Sequence, residues 1–506
     1  MYHGIIFTGS TRGFRQYLKS IGAYRIRTLC AEQGYNVRVV EHVHMMNVET
    51  MEKICDSLIS KETFFIGLSQ TFLMNFSSMK NIEENLAFIK KKYPKIKFIL
   101  GGAGQYTPRI SNPPWDIRMV GFSDISFKDV LDFCAGKKHM LKHQIYFDGQ
   151  LNTVHSSMYG SQFDMNKINT IWLPEDDIKP TDALPIEISR GCIFQCDFCS
   201  YELNGKKKFD YFRVKDSLVK EIQYNYETFG VKNYVFIDDT YNDSREKLSL
   251  VDDVMSEMNF DITYDAFIKP ELIAAFSDTI PQLVDQGLVS FTMGIESLNK
   301  ETRKAISKMP NFKKIEENLL KLKFNEQKKN ITFQTTMIAG LPHEPVESIK
   351  ESYDYFLNEC KFADDVIYQP FVMMKGDKEW REREASKIDK NPEKYGYTVY
   401  DQTDLDHLDD EQRRHIGRVN NMLYWENEHT NFLDISKLTD EFMQVLKRRQ
   451  VMAGISGIGA ARCAGVDIDD PNGGVKNIPV DDIRKLEENP EFWKRTEDYY
   501  NSVINR

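Results

Sequence analysis

GCIFQCDFCS, residues 191–200, sets Cys192, Cys196 and Cys199 within eight positions of a chain that holds only eight cysteines in 506 residues. The stretch follows directly on IEISR (186–190), whose alternation of apolar and polar residues predicts a strand. Three thiols on the loop after a strand have to be explained before the fold can be. A structural zinc site wants four closed ligands, and no fourth lies near: Cys134 and Cys360 are distant in sequence, and His155 is the nearest histidine. Three thiolates with one coordination position open suit chemistry, because a substrate or cofactor can take the vacant place.

Working outward, the strand at 186–190 begins a series. NYVFID (233–238), ITYDAFI (262–268), VSFTMGI (289–295), ITFQTTMIAG (331–340) and DVIYQPFV (365–372) continue it, with helical patterns at 214–229, 246–258 and 344–357 between them. Six βα units over this length predict a partial (β/α)6 barrel, since eight units take roughly 250 residues. Catalytic groups in such barrels project from the carboxyl ends of the strands, which is where the cysteines stand.

A separate alternating series precedes it. HGIIFT (3–8), YNVRVVE (35–41), FFIGLS (64–69), IKFILGG (96–102) and IRMVGF (117–122) alternate with helical stretches, which predicts a parallel, doubly wound, Rossmann-like sheet. Ligands in that architecture sit at the carboxyl ends of strands, here at Ser69-Gln70-Thr71 and Gly101-Gly102-Ala103-Gly104. QIYFDGQLNTVHS (144–156) reads as a hairpin turning at Asp148-Gly149, followed by a proline-bearing connection. Charged helical stretches at 409–425, 435–449 and 480–500 predict a mainly helical C-terminal domain. The expected division is therefore 1–140 for the Rossmann-like domain, 141–180 for hairpin and linker, 181–385 for the barrel and 386–506 for the helical domain.

Composition narrows the setting. The formal net charge of -10 opposes unspecific binding to nucleic acid or anionic membrane, although a structured tRNA substrate stays open. No apolar run approaches the ~20 residues of a membrane span, and the first residues carry no cleavable signal pattern, so a cytosolic enzyme is expected. Thiols there stay reduced, which favours a metal or catalysis over disulfides for the cysteine group.

Iron–sulfur clusters are held by closely spaced cysteines, and a [4Fe–4S] cube with three protein thiolates leaves one iron free. The C-x3-C-x2-C spacing, with Phe198 just before the last cysteine, closely resembles the cluster motif of the radical S-adenosylmethionine (radical SAM) superfamily. The resemblance implies that S-adenosylmethionine chelates the free iron. An electron, delivered by a reductant such as flavodoxin or ferredoxin, would then split the sulfonium to give methionine and a 5′-deoxyadenosyl radical. It further implies cofactor contacts at Phe198, at Asp238 and Asp239 toward the amino group, at Lys269 toward the carboxylate and at Glu296 and Ser297 toward ribose or carboxylate. Ile338 and Gly340 would flank adenine. A helix cap is the alternative reading of the two aspartates.

The N-terminal series resembles, in its order of segments, the cobalamin-binding domains placed before radical SAM barrels, and this assigns Ser69, Gln70, Thr71, Gly101 and Gly102 to a cobalamin site. The loop TGSTRGF (8–14) lacks the D-x-H-x-x-G pattern that supplies a histidine to cobalt. With cobalamin, the implied reaction is methylation of an unactivated carbon. A rearrangement or other non-methylating radical reaction is the alternative, and a non-catalytic iron–sulfur or zinc protein is the reading from another class. Methylthio transfer would need a second cluster on N-terminal loops, where this chain has Ser69 and Gly101 instead.

Overall fold

The computed structural model describes residues 1–9, 19–71, 73, 76–102, 109–139, 144–147, 151–156, 164–167, 169–200, 212–374, 385–400, 409, 422–446, 461, 466–479, 485 and 490–505. Two compact units emerge: Met1–Ile186 with Lys220–Val231 and Leu486–Arg506, and Glu187–Val219 with Lys232–Lys485.

In the first unit the chain runs β1 (Gly4–Thr8), α1 (Ile21–Glu32), β2 (Val37–Val40), α2 (Val48–Leu58), β3 (Phe65–Ser69), α3 (Phe76–Lys92), β4 (Lys97–Gly101), β5 (Ile117–Val120), α4 (Phe127–Cys134), β6 (Gln144–Phe147) and β7 (Leu151–His155). Among the described residues the sheet order is β2-β1-β3-β4-β5-β7-β6, parallel except for the β6–β7 pair. β1, β2 and β3 are buried along their whole length and β1 and β3 are almost continuously apolar, as strands of a parallel sheet are. α2 shows how the sequence builds a helix here. Met51, Ile54, Cys55 and Leu58 form one buried stripe at helical spacing, and the Asn47 side chain caps the start by accepting from the Thr50 N–H at 2.8 Å. The expected hairpin is present as β6 and β7; its turn at Asp148-Gly149 lies outside the described residues.

The second sheet takes β8 (Ala183–Ile186), β9 (Asn233–Phe236), β10 (Thr263–Phe267), β11 (Leu288–Glu296), β12 (Thr332–Ala339) and β13 (Asp365–Pro370), in the order β13-β12-β11-β10-β9-β8. Each neighbouring pair from β9 to β13 is parallel. Between strands stand α5 (Lys215–Phe229), α6 (Arg245–Ser256), α7 (Pro270–Ala275), α8 (Ile280–Asp285), α9 (Lys300–Ala305), α10 (Phe312–Lys323) and α11 (Val346–Asn358). This is the partial six-stranded barrel. Its first strand ends earlier than the alternation of IEISR suggests, because the N–H groups of Ile188 and Ser189 donate to the Asp238 side chain. Local alternation cannot register a distant carboxylate as a competing acceptor.

After the barrel come β14 (Met373–Met374), α12 (Lys387–Lys390), β15 (Thr398–Tyr400), β16 (Met422–Glu426), α13 (Phe432–Leu446) and α14 (Pro490–Ile504). β14, β16 and β15 form a small antiparallel sheet, so the end of the expected 409–425 helix is a strand. The stretch 386–506 is not one compact unit among the described residues. α14 belongs to the first unit: Tyr499 and Val503 join the core of α2 and β1, the Ser57 hydroxyl donates to the Val503 carbonyl, and Arg495 pairs with Asp177 and Asp182. An apolar helix face names no partner, which is why the sequence pattern assigned this helix to its neighbours in the chain. Among the described residues no helix is long and apolar enough to cross a membrane.

Candidate active site

Cys192, Cys196 and Cys199 lie on an irregular loop after β8, and all three are half-buried. The loop is fixed from just before its first cysteine. Asp238, fully buried past the end of β9, accepts from the N–H groups of Ile188 (2.9 Å) and Ser189 (3.1 Å) and from the Ser189 hydroxyl (2.6 Å). Lys247, on the first turn of α6 and also fully buried, sits 3.2 Å from Asp238 and 3.0 Å from Asp243. Its ammonium donates to Asp238, to the Ser189 hydroxyl at 2.8 Å and to the Thr240 carbonyl at 2.7 Å. Buried charges persist only in company, so this group holds together the β9 end, α6 and the approach to Cys192. Both Asp238 oxygens are thus engaged by protein donors, and the carboxylate, expected to meet the cofactor's amino group, braces the approach to the cysteine loop.

Asp239 reaches forward. Its Oδ2 accepts from the Gly191 N–H at 2.8 Å, and burial pushes its carboxyl up to about 6, with Asp238 adding to the rise. Gly191 has φ +95°, a backbone state that side-chain-bearing residues avoid, and so turns the chain into the loop. The Thr240 hydroxyl stands 3.3 Å from Cys192 Sγ, and the Phe194 N–H donates to the same sulfur at 3.4 Å. Burial raises the Cys192 thiol, and these two groups and Lys269 act against it.

Around Cys196 the surroundings are cationic. Lys269, between β10 and α7, sets Nζ 3.4 Å from Cys196 Sγ and 3.8 Å over the Phe194 ring. Arg303, fully buried on α9, donates to the Ile295 and Ser297 carbonyls at 2.7 and 3.0 Å and to Glu271 at 2.8 Å. Lys308 donates to the Gly294 carbonyl and lies 3.1 Å from Glu296. Burial acts to raise Glu271, yet Lys308, Lys269 and Arg303 together hold its carboxyl below the ordinary range. Glu296 itself has φ +67° at a bulge in β11, and a Cβ at Gly294 would collide with its carboxylate.

The other expected contacts divide. Phe198 and Ile338 are half-buried. Ser297 is fully buried and its hydroxyl donates to Glu344, whose carboxyl burial pushes up to about 8. Gly340 is buried with φ +84° beneath Trp425, and its carbonyl accepts from the Tyr397 hydroxyl at 2.7 Å. Thr240, Glu271, Arg303 and Lys308 were not singled out from sequence. Glu271 and Arg303 sit on short helices and read there as ordinary surface charges; their burial is a tertiary fact.

In the first unit the two loops of interest touch. The Gln70 N–H donates to the Gly101 carbonyl at 2.7 Å, and the Ser69 hydroxyl lies 3.4 Å from those of Ser20 and Thr71. Gly102 has φ +104°, and a Cβ there would stand 2.7 Å from the backbone nitrogens of Gln70 and Thr71. The order β2-β1-β3 reverses at β1, and the crevice of a doubly wound sheet opens at such a point. Ala103 and Gly104, and most of the loop after β1, lie outside the described residues.

A profile described as the Radical SAM superfamily matches residues 186–356. Among curated relatives, an uncharacterized methyltransferase of Pyrococcus horikoshii is 24% identical over 241 residues, covering 45% of this chain and 49% of that protein. The chain spans about half or less of the length of the curated relatives it matches. Among solved structures, the radical S-adenosylmethionine methyltransferase TsrM from Kitasatospora setae superposes with a TM-score of 0.63 at 10% identity, covering 99% of both chains. The cobalamin-dependent S-adenosylmethionine radical enzyme OxsB gives 0.55 at 12% identity, over 99% of this chain and 72% of that one. At those identities the likeness is one of fold: a Rossmann-like domain joined to a radical SAM barrel.

Proposed function

We propose, for a chain whose barrel belongs to the radical SAM superfamily, that Cys192, Cys196 and Cys199 hold a [4Fe–4S] cluster at which S-adenosylmethionine is cleaved. The observation that carries this reading is the cysteine loop itself: three half-buried thiols after the first barrel strand, with Lys269 beside the middle sulfur. The donor set fits the group, since iron–sulfur clusters take closely spaced thiolates. Among the described residues, no three Cys, His, Asp or Glu side chains, Cys192, Cys196 and Cys199 included, are already placed to hold a metal ion. When bound, the cluster supplies the electron that breaks a carbon–sulfur bond of the cofactor, leaving methionine and a 5′-deoxyadenosyl radical.

The chain's own residues do the holding. Lys269 offers its ammonium to the cofactor's carboxylate, and Asp239 and Glu296 offer acceptors to its amino group and ribose. Phe198 and Ile338 provide apolar surface for adenine. In the first unit, the Ser69-Gln70-Thr71 and Gly101-Gly102 loops are assigned to cobalamin, because they stand at the carboxyl ends of β3 and β4, where a doubly wound sheet takes its ligands. The reaction we infer is methylation of an unactivated carbon, with electrons from a flavodoxin- or ferredoxin-like donor.

Anaerobic reconstitution tests this. The expected result is brown protein with four irons per chain, forming 5′-deoxyadenosine under reductant. Supplied with cobalamin and a substrate extract, it should also form S-adenosylhomocysteine. The Cys196→Ala variant should form neither; undiminished cleavage there removes the cysteine assignment, and 5′-deoxyadenosine alone removes methylation.

A further inference from the structure

Asp197, between the second and third cysteines, is bonded through its side chain and its backbone alike. Its Oδ1 accepts from the Ser307 hydroxyl at 2.9 Å and from Lys387 Nζ at 2.7 Å, and its Oδ2 accepts from the Tyr395 hydroxyl at 2.9 Å. Its backbone is engaged as well: the N–H donates to the Ile306 carbonyl at 3.3 Å and the carbonyl accepts from the Ile388 N–H at 3.1 Å. Lys387 also donates to the Gln195 carbonyl at 3.0 Å. Ser307 is held at φ +61°, a state that L-residues seldom adopt. α12, which carries Lys387, starts with a reciprocal cap between Ser386 and Asp389, so the lysine is presented from a fixed turn.

The same post-barrel stretch fastens the other side of the sheet. The Tyr397 hydroxyl donates to the Gly340 carbonyl after β12 at 2.7 Å, and Trp425 Nε1 donates to the Phe371 carbonyl after β13 at 2.9 Å. Tyr397 and Trp425 meet edge to face at 5.2 Å. Since β8 and β13 are the two edges of the open sheet, this stretch joins the loop after the first strand to the loops after the last two.

We propose that Asp197 is a positioning residue through which the 386–397 segment clasps the cysteine loop and sets how S-adenosylmethionine is presented to it. The loop has no regular structure, and Asp197 gives it a charge-assisted bond to Lys387, a class of bond that is among the strong ones. The clasp also ties cofactor geometry to the β15–β16 side of the barrel mouth. This inference rests on the cluster assignment above.

The test uses the full chain, reconstituted anaerobically, in the variants D197A, D197N, K387M/Y395F and the triple D197A/K387M/Y395F. Iron content, the electron paramagnetic resonance change on adding S-adenosylmethionine, and KM and kcat for cleavage are measured. The expected result is four irons in every variant, an altered resonance response, and a KM raised about tenfold with kcat less affected, the size of one strong hydrogen bond. D197A and K387M/Y395F should match, and the triple should add nothing, as for partners in one interaction. D197N, which keeps the shape, tells a lost fold from a lost clasp and should show a smaller KM change of the same sign. Unchanged KM and resonance in D197A and D197N, or additive effects in the triple, overturn the proposal. If Cys196→Ala abolishes cleavage while the Asp197 variants behave as wild type, only the clasp falls; if Cys196→Ala cleaves normally, the cluster assignment falls with it.

Discussion

Trp425 occupies the space that a side chain at Gly340 would need: a Cβ there would lie 2.6 Å from Cη2 of the indole. The ring is fixed by its bond to the Phe371 carbonyl and cannot swing away freely. Gly340→Ala combines this overlap with a positive φ, so it should destabilise the second unit by about 2–4 kcal/mol. Urea titration followed by tryptophan fluorescence measures this. A cost below about 0.5 kcal/mol, the level of an ordinary surface change, would show that the indole is free to move.

Gly102→Ala tests the first unit in the same manner, but against backbone. With Gln70 N and Thr71 N both 2.7 Å from the new Cβ, one of the two loops must shift. The expected outcome is loss of cobalamin binding, followed by its visible absorbance after gel filtration. Iron content and S-adenosylmethionine binding should persist. Full cobalamin retention would remove these loops from the site.

Asp238 and Lys247 are each fully buried and depend on one another. Lys247→Met leaves Asp238 and Asp243 without their cation, and Asp238→Ala leaves the Ile188 and Ser189 N–H groups without an acceptor. Each should cost about 3–5 kcal/mol and reduce iron uptake, since breaking a buried ion pair strands its partner. Equal iron loading in soluble Asp238→Ala protein would mean that the cysteine loop holds its shape without this support.

Glu344 gives the second unit a pH dependence. Burial raises its carboxyl to about 8, so the folded protein keeps a proton that the unfolded chain releases. Stability should therefore fall as pH rises from the ordinary glutamate range toward 8, by at most about 1.4 kcal/mol per pH unit. Glu344→Gln should remove that slope while Ser297 keeps an acceptor. Parallel stability–pH curves for the two proteins would contradict the neutral carboxyl.

Arg495 should carry the attachment of α14 within the first unit. It donates to Asp177 at 2.8 Å and to Asp182 at 2.7 Å. Although burial acts to raise Asp177, Arg495 holds its carboxyl at about 2. That contribution is present above the ordinary aspartate range and is lost as pH falls toward 2. Arg495→Met should expose the 490–504 segment to protease at neutral pH and flatten the acid limb of the stability curve; resistance equal to wild type would place the attachment elsewhere.

The elements of this protein are written locally. The strand-length runs 64–69 and 331–340, helical spacing in Met51, Ile54, Cys55 and Leu58, and the C-x3-C-x2-C spacing can all be read within a few residues, because strand length, helix period and loop ligation are short-range properties. Two parallel α/β layers and a thiol loop on the first barrel strand follow from that alone. Asp238 could be placed at the end of β9 but not given its task, since its donors come from about fifty residues away and from α6. Tertiary structure alone decided that α14 closes the first unit, that Arg303 and Lys308 are buried beside Glu271 and Glu296, and that Asp197 meets Lys387 across nearly two hundred residues. The physical reason is the same in each case: a buried charge takes whichever partner the packed chain brings within hydrogen-bonding distance, and no periodicity in the sequence encodes which one that is.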